Sequence, residues 1–140
     1  MKRIIMLSTV ILMLAVTLAA CKKAVVSSTL TITEKTWSGW TREQPEPVIT
    51  VYENAVEGTV IYDNPHFGTI TVERATDETV VLRIDGSSFV RPNENGTVNL
   101  NADPIDSLTV GYGEEREIVT PTLDAGEVIL IQYGTAEENE

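Results

Sequence analysis

A chain of 140 residues that sets 21 acidic side chains against 10 basic ones carries a formal charge of -11. That balance argues against nucleic acid, whose phosphates are bound by neutralising cations: no Lys follows Lys35, and Arg74, Arg83, Arg91 and Arg116 stand singly. A single Cys and a single His leave no disulfide framework and no set of ligands for a closed zinc site.

The first stretch has the layout of an export signal. Lys2 and Arg3 precede an uncharged run from Ile4 to Leu18, broken only by Ser8, Thr9 and Thr17. As a helix, Ile4 to Cys21 would reach ~27 Å against a hydrocarbon core of ~30 Å, which makes a retained anchor marginal. The run ends in Leu18-Ala19-Ala20-Cys21. Here the chain resembles bacterial lipoproteins, whose lipobox is a Leu, two small residues and a Cys; the resemblance covers residues 1–21. It implies a diacylglyceryl thioether on Cys21, cleavage between Ala20 and Cys21, and acylation by a palmitate-type chain at the new terminus. Two or more acyl chains anchor a protein stably at ~0.8 kcal/mol per buried methylene. The protein is then expected at the cell membrane, lipid-anchored on an extracytoplasmic face.

Loss of Lys2 and Arg3 with the leader takes the formal charge from -11 to -13. Residues 1–20 read as the leader, 21–28 as the lipidated Cys and a tether, 29–134 as one domain, and 135–140 as an acidic, disordered tail. The tether spans ~20 to 25 Å at full extension and holds the domain close to the bilayer. Lys22 and Lys23 are either ordinary flank residues or contacts to anionic headgroups, worth at most ~1 kcal/mol each.

From Thr29 the pattern is of short strands and turns, with no helical stripe. Thr29 to Lys35 alternates, Leu30 and Ile32 facing one way and Thr31 and Thr33 the other. Further strands are predicted at residues 47–52, 59–62, 69–74 and 79–85, with a hairpin at Ala75-Thr76-Asp77-Glu78. Residues 88–91 and 97–101 flank a second reversal at Asn95-Gly96. Residues 107–112, 117–120 and 127–133 follow, the unbroken run Val128-Ile129-Leu130-Ile131 marking a central strand covered on both faces. About eight or nine short strands with no crossover helix predict an all-β antiparallel sandwich, Ig-like or jelly-roll-like in architecture only.

Catalytic material is scarce. His66 lies in the loop Asp63-Asn64-Pro65-His66-Phe67-Gly68, and a triad needs a nucleophile beside a His that an acid orients. Asp63, Asp77, Glu78, Asp85 and Glu94 fall at predicted turns and strand ends, where acids serve local hydrogen bonding, so a glycosidase pair is not assigned. Calcium needs six to eight oxygens, and converging loops could supply them from Asp63 and Asn64 with Asp103 and Asp106, or from Glu114, Glu115 and Glu117.

Trp37-Ser38-Gly39-Trp40 is the most distinctive local feature. In register with its strand, Trp37 shares the outward phase of Thr31 and Thr33; a phase reset at Ser38-Gly39 would instead let the rings plug the core. Exposed, the rings would anchor a partner, with Arg42, Tyr52 and Tyr112 as candidates to join them. These readings converge on a lipid-anchored binding or accessory module that recognises an envelope protein or glycan. A carboxylate-based envelope hydrolase and a structural subunit of a membrane complex are the alternatives.

Overall fold

The computed structural model describes residues 29–40, 42–86 and 88–134. The expected export signal, cleavage after Ala20, lipidation of Cys21, tether and acidic tail all fall outside the described residues.

The described chain is all β. Its strands are β1 (Leu30–Ser38), β2 (Val48–Tyr52), β3 (Val60–Asn64), β4 (Gly68–Ala75), β5 (Thr79–Asp85), β6 (Ser107–Gly111), β7 (Glu115–Val119) and β8 (Ala125–Tyr133). They form two antiparallel sheets of four, ordered β2-β1-β8-β7 and β3-β4-β5-β6. Consecutive strands are neighbours wherever they share a sheet, and β8 closes on β1. The sandwich is therefore an up-and-down meander folded onto itself, open at the β2/β3 and β6/β7 seams. Short links favour the β3–β4, β4–β5 and β7–β8 pairings, because a brief turn leaves a strand beside the one before it, whereas β5 and β6 pair across a long connection.

Alternation places the core between the sheets. Leu30 and Ile32 of β1, Ile70 and Val72 of β4, Val80 and Leu82 of β5, and Ile129 and Ile131 of β8 are all buried. Each fully buried aliphatic side chain contributes ~1.5 to 3 kcal/mol by leaving water. The expectation for Val128-Ile129-Leu130-Ile131 holds for position and not for cover: β8 lies between β1 and β7 with Ile129 and Ile131 in the core, but Val128 and Leu130 are only half-buried on the outer face.

Two expected strands do not form. Residues 88–91 make only a bridge, Val90 to Val119, with Val90 N–H donating to Val119 at 2.9 Å and Val119 N–H returning at 3.0 Å. Pro92 follows two residues later and has no N–H with which to extend a ladder. Residues 97–101 turn instead, as Asn99 Oδ1 accepts from Asn101 N–H at 3.0 Å and the Asn99 carbonyl accepts from Ala102 N–H at 3.1 Å. Local Asn bonding has displaced the ladder. The reversal between them is present: Asn93 N–H donates to Thr97 O at 2.8 Å, with Gly96 at a φ of 79°.

Candidate functional site

β1 runs in register past Lys35 to Ser38, where it pairs with Ala125. That continuity keeps Trp37 on the outer face with Thr31, Thr33 and Lys35, opposite Gly126 of β8. Gly126 is what lets the indole reach across: a Cβ there would lie 3.0 Å from Trp37 Nε1. Trp37 is half-buried, and Trp40, in the turn that follows, is 82% exposed. Neither ring enters the core.

The chain then folds back over β1. The register of β2 with β1 ends at Glu34 and Val48, so the backbone of Ser38 has no strand beside it on that side. The Gln44 side chain supplies one in miniature. Its Oε1 accepts from Ser38 N–H at 2.8 Å and its Nε2 donates to Ser38 O at 2.9 Å. Gly39 N–H donates to Asp124 O at 2.6 Å and ties the same turn to the β7–β8 loop. The outcome is a groove of about 480 Å³ lined by Lys35, Trp37, Gln44, Pro45, Glu46 and Val128 among others. An aromatic wall, two prolines and a rim of amide, ammonium and carboxylate groups meet there.

The other sequence candidates are scattered. Arg42 is exposed in the β1–β2 loop, on the same excursion as Trp40. Tyr52 faces inward and its hydroxyl donates to Ile61 O at 3.2 Å across the β2/β3 seam. Tyr112 lies in the β6–β7 turn against Tyr133, with ring centroids 5.8 Å apart. Tyr133 pairs with Leu30 and Gly126 with Trp37, so the length of β1, on the order of 20 Å, separates Tyr112 from the tryptophans. Tyr52 and Tyr112 thus do not join the Trp37 groove.

Of the candidate metal ligands, Asp63 and Asn64 have their side chains engaged in local bonds. Asp63 Oδ1 accepts from Thr69 Oγ1 at 3.1 Å, and Asn64 Oδ1 accepts from His66 N–H at 2.8 Å to close the β3–β4 turn. Asp103 and Asp106 lie in the long β5–β6 connection, where the Asp106 carbonyl accepts from Ile84 N–H at 2.8 Å. Among the described residues, no three His, Cys, Asp or Glu side chains are grouped to hold a metal ion.

A second polar constellation lies between the sheets. Glu34 is in phase with Leu30 and Ile32, and Glu127 with Ile129 and Ile131, so both carboxylates point inward from adjacent strands. Glu34 pairs with Ile129, which makes Glu34 and Glu127 diagonal neighbours, on the order of 7 Å apart at Cβ. Tyr62 Oη donates to Glu127 Oε2 at 2.6 Å. Burial first, and Glu127 second, push the Glu34 carboxyl above its usual range. Burial and then the Glu34 charge raise the Tyr52 phenol. The Tyr62 phenol is pushed far up by burial, by its bond to Glu127 and by the charges of Glu127 and Glu34, against a small lowering by Asn64. The period-of-two phase was the signal that could have found Glu34 and Glu127, since each shares parity with core residues of its own strand.

No protein-family model matches the chain, and no curated protein and no solved structure matches it either. The class is therefore set by fold and site: a meander-connected antiparallel β-sandwich with an aromatic groove on one outer face and a carboxylate pair between its sheets.

Proposed function

We propose that this protein is a lipid-anchored, extracytoplasmic binding module of the bacterial cell envelope that recognises a glycan through the Trp37 groove. The observation that carries the reading is the half-exposed indole of Trp37, held beside Gln44, Lys35 and Glu46 on a rigid strand. A sugar ring has an apolar face and a hydroxyl edge, and suits an aromatic wall flanked by hydrogen-bonding groups. Trp40 and Arg42 extend the surface along the same loop. The lipobox resemblance at Leu18 to Cys21 supports the tethered location.

The test is a titration of the full chain in detergent micelles with soluble saccharide fragments of the envelope, read by tryptophan fluorescence. Trp37→Ala should weaken binding at least tenfold with the thermal melt unchanged. Equal affinity of wild type and variant removes the groove from the reading, and capture of an envelope protein in place of any saccharide replaces glycan with protein. Location is tested separately: labelled fatty acid should enter the wild type and not Cys21→Ser.

A second reading, a carboxylate-based hydrolase, draws on Glu34 and Glu127, diagonal neighbours on the inner face of one sheet, with the Glu34 carboxyl raised above its usual range. Cleavage of the same saccharides, abolished by Glu127→Gln, would support it; intact saccharides after prolonged incubation would end it.

A further inference from the structure

β2 and β7 are the edges of one sheet, and β3 and β6 of the other. An edge strand presents unpaired backbone groups that recruit another strand unless something blocks them. β7 exposes Glu115, Arg116 and Glu117. β3 carries a register irregularity between Val60 and Tyr62 and an exposed Asp63. β6 is stopped at its end, where Gly111 N–H is taken by Glu114 Oε2 at 3.0 Å. β2 is stopped at its start by Pro47 but carries no device along its length: Val48-Ile49-Thr50-Val51-Tyr52 contains no charge, no proline and no register irregularity. Val48, Ile49 and Val51 are 58%, 64% and 54% exposed.

We propose that the free edge of β2 is a docking site for an extended segment of a partner protein, apolar at alternate positions and basic at both ends, which adds a strand beyond β2. Backbone hydrogen bonds to the edge supply affinity, and Ile49 and Val51, side by side on the outer face, receive the alternate side chains of the incoming strand. Charge selects the occupant. β2 is bracketed by Glu43 and Glu46 before it and Glu53 and Glu57 after it, against Arg42 alone. A second copy docking edge to edge about Thr50 would bring the acids before β2 in each chain against those after β2 in the other. Two chains of net charge -11 would also repel. Lysine or arginine at each end of a partner strand answers both acidic clusters. The site adjoins the Trp37 groove at Glu46 and Pro47, but Ile49 and Val51 do not line that groove, so the proposal does not depend on the glycan reading.

The probe is a short peptide of alternating valine and threonine with a lysine at each end, compared with a counterpart ended by glutamates. The full chain in detergent micelles is titrated with each, and amide hydrogen exchange is read residue by residue by NMR. The lysine-ended peptide should slow exchange of alternate β2 amides at least tenfold and bind at least tenfold more tightly than its counterpart. The double variant Ile49→Lys, Val51→Lys, with its melting curve showing a folded domain, should lose this protection. Unchanged β2 exchange with the lysine-ended peptide, or equal affinity for the two peptides, overturns the proposal. So does concentration-dependent dimerisation that protects β2 with no peptide present, because the occupant is then a second copy.

Discussion

The Tyr62 hydroxyl donates a 2.6 Å hydrogen bond to Glu127 Oε2 and so ties β3 of one sheet to β8 of the other. Its phenol is driven far above the ordinary tyrosine range, first by burial and then by Glu127. Tyr62→Phe should keep the edge-to-face contact with Phe89, centroids 5.6 Å apart, and lose this bond together with the hydroxyl's interaction with Asn64. A hydrogen bond to a charged group is worth ~1.5 to 3 kcal/mol, and the loss should appear as a lower urea midpoint at constant slope. An unchanged midpoint would mean that water replaces the phenol at no cost.

Glu34 gives the domain a pH dependence of definite sign. Its folded-state carboxyl is raised above the ordinary 4.5 by burial and by Glu127. Between that ordinary value and the raised one, the folded state holds more protons than the unfolded chain. Stability therefore falls as pH rises through this interval and levels off above it. Glu34→Gln should remove this component and leave the variant more stable at neutral pH by up to ~1 kcal/mol after solvent screening. Urea denaturation of both proteins from about pH 4 to 7 reads the difference; parallel profiles would show that Glu34 titrates alike in both states.

Gly126→Ala should destabilise the domain by ~1 to 3 kcal/mol through overpacking. An added Cβ would lie 2.1 Å from Thr120 Oγ1 and 2.7 Å from Thr122 Oγ1. Neither hydroxyl is free to swing away: Thr120 Oγ1 accepts from Glu127 N–H at 2.9 Å, and Thr122 donates to the Ala125 carbonyl. The same methyl would crowd Trp37 Nε1, so a shifted tryptophan emission should accompany the lower melting temperature.

Phe89 tests whether the long β5–β6 connection is part of the core. It is fully buried outside any strand, against Tyr62 and Phe67. Its segment is held by Ser88 N–H to Phe67 O at 3.1 Å and by Ile105 N–H to Phe89 O at 2.9 Å. Phe89→Ala should cost ~3 to 5 kcal/mol, as much as truncating a strand residue. A loss below ~1 kcal/mol, measured in urea, would mark the connection as independent of the core.

Local pattern carried the β class, most of the strands and the hairpin between β4 and β5. In β1 and β5 the period of two separates inward Leu30, Ile32, Val80, Leu82 and Ile84 from their outward neighbours, whatever the strands pair with. The same rule gives Trp37 an outward phase, and the competing expectation of a phase reset at Ser38-Gly39 that plugs the core is not borne out, because β1 keeps its register to Ser38. The rule failed at residues 88–91 and 97–101, where Pro92 and Asn99 decide the backbone through one missing donor and one competing acceptor.

By itself the sequence determined an acidic chain poor in cysteine and histidine, and strands whose alternation permits a single buried face. Tertiary structure alone decided which strands became edges, that Gln44 would stand in for a strand beside Ser38, and that Glu34 and Glu127 would meet inside. The reason is range. Side-chain phase is fixed by the neighbouring residue, whereas pairing, seams and the company of a buried charge depend on residues as distant as Tyr62 and Glu127, which only the closed sandwich brings together.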